Sequence, residues 1–166
     1  MPALDTGIIA PDFTLITVDS KQISLLDSLK KGPVLLAFFK TSCPVCQYAF
    51  PFLQRVFQSN NGESVTVLGV SQDAPKKTRE FLQEYGVTFP VTIDNDANDY
   101  AVSKAYGLTN VPTAFLVAPN GEIEVSSVGW SKHDTETMNE RLASYLGQPA
   151  KPLWRPGEDV REYRAG

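Results

Sequence analysis

Six consecutive apolar residues, Val34-Leu35-Leu36-Ala37-Phe38-Phe39, are followed a few positions later by Cys43-Pro44-Val45-Cys46. The first segment constrains the fold most. Apolar character without alternation, over the length of a strand, predicts a strand covered on both faces, as in a parallel sheet. Such a strand needs helices on both sides. The second segment opens one of them. Pro44 suits a first helical turn, where its missing N–H is not needed. Phe50, Leu53 and Phe57 then repeat at i, i+3 and i+7, giving one apolar face to about Ser59. Pro51 lies inside this helix and is expected to kink it.

The rest of the chain alternates in the same way. Residues 12–17 read as an edge strand, and residues 21–23 pair back on it after a turn at 18–20. Residues 25–29 form a short helix closed by Lys31-Gly32-Pro33. Residues 65–70 are a second buried strand after the Asn60-Asn61-Gly62 turn. Residues 76–85 are a helix with Phe81, Leu82 and Tyr85 inward. A short strand at 89–93 and a short helix at 99–106 follow. Strands at 113–118 and 122–128 make a hairpin around Pro119-Asn120-Gly121. The last helix begins near Ser131, which is spaced from Asp134 as in a capping box. It turns Met138, Leu142 and Tyr145 inward and ends at Gly147. The expected fold is α/β, a central mixed sheet with helices on both faces and an N-terminal β extension, over residues 1–147. Residues 148–166, with Pro149, Pro152, Pro156 and Gly157, read as an extended C-terminal tail. Leu153 and Trp154 offer it anchors on the domain or on a second subunit, as in a homodimer.

The formal net charge of -4 argues against a nucleic-acid partner, because phosphate binding needs a basic face. No apolar run approaches the roughly 20 residues needed to span a bilayer. Met1-Pro2-Ala3-Leu4-Asp5 lacks the basic start and apolar stretch of a secretory signal, so a cytoplasmic location is expected. An exported protein whose signal has been removed reads the same way.

The chain has two cysteines, two residues apart. A disulfide between them closes so small a loop that it restrains the unfolded chain little, which points to reactivity instead of stapling. Thiol–disulfide exchange needs an attacking thiolate and a second thiol close enough to resolve the mixed disulfide. At a helix start the first cysteine is exposed and lies against the positive end of the helix and its free N–H groups, which favour its thiolate. The second sits one turn on and is more buried. Cys43 is thus the expected nucleophile and Cys46 the resolving thiol. A zinc site needs four ligands, or three plus water, and only His133 could add a nitrogen. No metal or other cofactor is expected beyond the cysteine pair.

Residues 38–46 with their CxxC, Pro51 five residues on, and Val111-Pro112-Thr113 before a strand resemble the thioredoxin superfamily. Ala10-Pro11-Asp12-Phe13-Thr14-Leu15, Gly69-Val70-Ser71-Gln72-Asp73 and Tyr85-Gly86-Val87 are similar to its redoxin (AhpC/TSA) branch, which holds the TlpA/ResA-like oxidoreductases and the peroxiredoxins. The resemblance spans roughly residues 8 to 147. It implies a thioredoxin-like fold and a thiol–disulfide oxidoreductase, with a protein or small-molecule disulfide as substrate and a thiol as electron donor. It also implies that Pro112 is cis and faces the cysteines. The Val111 backbone would then pair with an extended substrate chain. From the residues alone, a trans proline opening a strand is the other reading. Lys40, Thr41, Ser42, Pro44 and Val45 complete the expected surroundings of the pair.

The chain departs from the pattern in places. Ser42 stands where the family often has Trp. Ala37 and Ala49 stand where thioredoxin and the ResA-like proteins, respectively, carry an acid. Lys40 is the nearest group in sequence that could favour the thiolate, although it also reads as a strand-end lysine in solvent. The main competing reading is a peroxiredoxin-type thiol peroxidase, an antioxidant enzyme. Its P-x-x-x-T/S-x-x-C pattern is absent here, with Leu36 and Lys40 at the two positions that matter. A Sco-type copper-binding protein would need His133 and a C-x-x-x-C spacing. Asp73, Asp94 and Asp96 lie at strand ends or in turns, where they could approach the active-site face, although solvated turn acids are the commoner outcome.

Overall fold

The structure is a computed structural model that describes residues 2–166. Along the chain, β1 (Thr14–Thr17) and β2 (Gln22–Ser24) precede α1 (Leu25–Leu29), β3 (Val34–Phe39) and α2 (Pro44–Ser59). Then come β4 (Thr66–Ser71), α3 (Pro75–Glu84), β5 (Val91–Ile93) and α4 (Ala101–Ala105). The chain continues with β6 (Thr113–Val117), β7 (Ile123–Val128), β8 (Trp130–Ser131), α5 (Lys132–Tyr145) and β9 (Tyr163–Arg164). Seven strands form one sheet in the order β2-β1-β5-β4-β3-β6-β7. β3, β4 and β5 run parallel, while the hairpins β1-β2 and β6-β7 attach antiparallel. This is a mixed sheet with an N-terminal β extension.

The apolar run behaves as its composition requires. All six residues of β3 are buried. Leu35, Ala37 and Phe39 pack with Phe50 and Leu53 of α2, Phe81 of α3, and Met138 and Leu142 of α5. Val34, Leu36 and Phe38 pack with Leu25 and Leu29 of α1, Val102 of α4 and Tyr106. Side chains alternate across a strand, so an unbroken apolar run feeds two cores at once. Each fully buried Leu or Phe contributes roughly 1.5–3 kcal/mol of transfer free energy. Helix α2 runs through Pro51 without interruption. Among the described residues no helix is long and apolar enough to cross a membrane.

Two expectations are corrected. β1 is an interior strand, flanked by β2 and β5, and the edge belongs to β2. Its alternating pattern reflects one solvated face, which an interior strand of a mixed sheet can also have. Tyr145, expected inward, is 42% exposed at the last turn of α5. Its hydroxyl donates to Glu124 on β7. An amphipathic ring at a helix end keeps its polar tip in reach of such a partner.

Residues 148–166 have little regular structure but are packed against the domain of the same chain. Leu153 joins the core beneath α2 and α5. Val160 and Trp154 cluster with Trp130, Phe52, Ala49 and Val45. The Arg55 guanidinium donates to both carboxylate oxygens of Glu158, at 2.7 and 2.8 Å, and to the Leu153 carbonyl at 2.9 Å. This bidentate pairing holds the Glu158 carboxyl down to about 2. Trp130 Nε1 donates to the Arg161 carbonyl at 2.7 Å, and β9 pairs antiparallel with β8.

Candidate active site

β3 ends at Phe39, and Lys40, Thr41 and Ser42 carry the chain to Cys43, the residue just before α2. The turn is fixed from the neighbouring strand. The Thr41 N–H donates to Asp73 Oδ2 at 2.7 Å, and the Asp73 N–H donates to Ser71 Oγ at 3.1 Å. Cys43 is the N-cap of α2, and its sulfur accepts the N–H of Cys46 at 3.2 Å. Gln47 Nε2 reaches back to the Thr41 carbonyl at 3.0 Å. The helix start therefore places an N–H donor and the positive end of the helix dipole against the Cys43 sulfur.

Both cysteines are free thiols; Cys43 is half-buried and Cys46 fully buried. Burial raises the Cys46 pKa well above the ordinary thiol value, assisted by the Cys43 side chain and by the negative charges of Cys43 and Asp73. A backbone hydrogen bond from Lys40 acts the other way. The Val111–Pro112 peptide bond is cis. The Cys43 thiol donates to the Val111 carbonyl at 3.4 Å. The loop is tied at both ends, by Thr113 Oγ1 donating to the Asn110 carbonyl at 2.8 Å and by the Gly129 N–H donating to the Pro112 carbonyl at 2.8 Å.

The structure thus brings Cys43, Cys46 and Val111 together around one helix start, with Pro112 next to Val111, while Thr41 is held in the turn by Asp73 and Gln47. Lys40, Ser42 and Pro44 are exposed, and Lys40 approaches the site through its backbone. Val45 is buried in the cluster around Trp130, against which Cys43 also packs. Ala37 and Ala49, which replace the acids of related patterns, help line a cavity of about 20 Å³ beside Pro112. That is roughly the space of one water. Leu36 belongs to the core on the opposite face from Cys46. His133 is exposed in the first turn of α5, and no group of three or more His, Cys, Asp or Glu side chains converges among the described residues.

Two acids differ from expectation. Asp73 is not merely solvated; it anchors the turn into the CxxC. β3 and β4 are parallel, with Phe39 beside Ser71, so residues just past both strand ends become neighbours. That register was the available signal. Asp94 is fully buried and accepts from Asn98 Nδ2, the amides of Val102 and Ser103, and Ser103 Oγ, at 2.7–3.2 Å. It serves the free N–H groups at the start of α4, which accounts for its burial. Asp96 is exposed in a single 3₁₀ turn.

Fold and site together define a thiol–disulfide oxidoreductase of the thioredoxin class. The AhpC/TSA family model matches residues 6–126, and the chain belongs to that family. It is 33% identical over 158 residues to the thiol-disulfide oxidoreductase ResA of Bacillus subtilis, covering 94% of this chain and 79% of that protein. The ResA of Geobacillus thermodenitrificans is 32% identical over 142 residues, covering 84% and 79%. Among solved structures, the thioredoxin domain of a thiol-disulfide oxidoreductase from Bacteroides vulgatus superposes with a TM-score of 0.74 at 24% identity. The match covers 84% of this chain and 98% of that one, and the likeness is one of fold.

The buried thiol has a consequence for stability. The folded chain holds the Cys46 proton to higher pH than the unfolded chain does. Stability from this group is therefore complete below the unfolded thiol value, about 8.5, and is lost as pH rises beyond it. In a Cys43→Ser background, urea unfolding is expected to give a stability that falls between pH 8 and pH 9.5. Adding Cys46→Ala should remove that slope, and an unchanged slope would contradict the assignment.

Proposed function

We propose that this protein passes an electron pair between the Cys43–Cys46 dithiol and the disulfides of other molecules, with Cys43 attacking and Cys46 resolving. The observation that carries this reading is the asymmetry of the pair at the start of α2. Cys43 is half-open, takes the Cys46 N–H and faces Val111; Cys46 is fully buried and keeps its proton.

The chemistry balances without a cofactor. The Cys43 thiolate attacks one sulfur of a substrate disulfide and releases the other as a thiolate, which takes a proton from solvent. The Cys46 thiol then loses its proton, attacks the Cys43 sulfur and releases the second substrate thiol. Two thiols of the protein become one disulfide and the substrate disulfide becomes two thiols. A small dithiol or a protein thiol returns the pair to its starting state. Once Cys43 is blocked by substrate, its negative charge near Cys46 is gone, and one of the causes that hold the Cys46 proton disappears.

Dithiothreitol-driven reduction of insulin, followed by turbidity, tests this directly. Catalysis above the dithiothreitol background is the expected result. Failure to exchange with insulin and with every small disulfide tried would overturn the reading. Peroxide consumption faster than disulfide exchange would favour thiol peroxidase chemistry in its place.

A further inference from the structure

The last residues of the tail return to the site. β9 pairs with β8, Trp130 with Arg164 and Ser131 with Tyr163. Beyond it, Asn110 Nδ2 donates to the Gly166 carbonyl at 3.2 Å. A Cβ placed on Gly166 would collide with the Val111 carbonyl oxygen and stand 3.3 Å from the Pro112 nitrogen. The tail backbone therefore lies directly on the loop whose carbonyl takes the Cys43 thiol. The approach is so close at Gly129, where φ is +79°, that a Cβ there would meet the Arg164 carbonyl at 2.6 Å.

This position matters because of what must pass through it. A sulfur that reacts with Cys43 arrives beside Val111, 3.4 Å from the Cys43 sulfur. A small disulfide needs little more room than that. A disulfide held in a polypeptide brings extended backbone on both sides of its cysteine, and that backbone has to cross the Val111–Pro112 loop. The Val111 carbonyl accepts from no backbone group among the described residues, so it is open to such a strand once the tail has moved.

The tail is held unevenly. Leu153 and Val160 are buried and Glu158 is paired to Arg55. Past Val160, Arg161, Glu162 and Tyr163 are exposed. The last segment is held by the β8–β9 pairing, the Lys132 N–H donating to the Glu162 carbonyl at 2.9 Å, a Lys132–Glu162 ion pair at 3.7 Å, the Asn110 contact and the Arg164 guanidinium 5.1 Å above the Tyr48 ring. No side chain of residues 161–166 is buried, so less packing opposes displacement of this segment than holds residues 153–160.

We propose that residues 162–166 gate the site by substrate class, excluding extended polypeptide disulfides when closed and leaving small disulfides free to react. This rests on the exchange reading above. A site open only part of the time binds the larger substrate more weakly by the open fraction.

The test compares the full chain with a chain ending at Arg161, which keeps Leu153, Glu158 and Val160. Each is assayed against insulin and against hydroxyethyl disulfide. The shortened chain is expected to gain about fivefold or more in kcat/KM for insulin while staying within about twofold for the small disulfide. Arg164→Ala, which shortens nothing, should shift the same ratio in the same direction by less. Equal values for both chains, or a parallel loss on both substrates with Arg164→Ala unchanged, overturns the gate. No exchange by the full chain with either disulfide overturns the functional reading, and the gate with it.

Discussion

Cys43→Ser is expected to abolish disulfide exchange, whereas Cys46→Ser is expected to leave the first half of the reaction and stop there. The reasoning follows from where each sulfur sits. Cys43 is the only thiol that an incoming disulfide can reach, since Cys46 has no exposed surface. Its loss leaves a buried thiol whose proton is held tightly, and the rate should fall to the uncatalysed background. Cys46→Ser keeps Cys43 at the N-cap, with the backbone N–H of residue 46 still available to its sulfur. Attack proceeds, but no neighbouring thiol releases the substrate. A long-lived mixed disulfide should accumulate, visible by mass spectrometry as a one-to-one adduct removed by dithiothreitol. Adduct on Cys46 in Cys43→Ser would reverse the assignment.

Phe50→Ala carries the largest expected cost in stability, about 3–5 kcal/mol. The ring is fully buried, 4.2 Å from Phe39, 5.5 Å from Phe81 and 5.9 Å from Phe89 between ring centroids. It joins α2 to the end of β3, to α3 and to the segment before β5. Truncation removes the transfer free energy of the ring and leaves a hole that this set of aromatic rings fills poorly. At about 2–4 °C per kcal/mol for a domain of this size, melting should fall by about 6–20 °C. Leu26→Ala, at a position 55% exposed, should change stability by no more than about 0.5 kcal/mol. Phe50 lies one turn beyond Cys46 on α2, so loss of activity with Phe50→Ala should track loss of the fold in a thermal scan. A Phe50→Ala chain as stable as the parent would show that this core does not hold the helix.

The parts of the fold written in local chemistry were legible before the structure. β3 announced two covered faces through its unbroken apolar run, and Pro119-Asn120-Gly121 announced its hairpin. Ser131 announced its cap, and its Oγ accepts the Asp134 N–H at 3.0 Å. The cysteine pair was legible for the same reason, because its spacing and its place after β3 state the chemistry. What was hidden depends on residues far apart in sequence. β1 looked like an edge because its partner β5 lies more than seventy residues on. Asp73 reaches Thr41 only through the register of β3 against β4. Asp94 looked like a turn acid because nothing local shows that α4 packs its first turn onto it. Leu153 and Trp154 stood out as anchors for the tail, and both dock on the domain of the same chain, but the pairing of Glu158 with Arg55 and the burial of Val160 beside Trp130 join residues too far apart in sequence to be read locally.

The central claim is that Cys43 and Cys46 act as one two-electron couple. It is tested most directly by equilibrating the protein with graded ratios of reduced and oxidised glutathione, quenching with acid and weighing the products. The account predicts a single transition from the dithiol to an intramolecular Cys43–Cys46 disulfide, lighter by two hydrogens, with a midpoint that depends on the square of the reduced glutathione concentration over the oxidised. A protein that only gains glutathione on Cys43, or that stays a dithiol across the whole range, would contradict it.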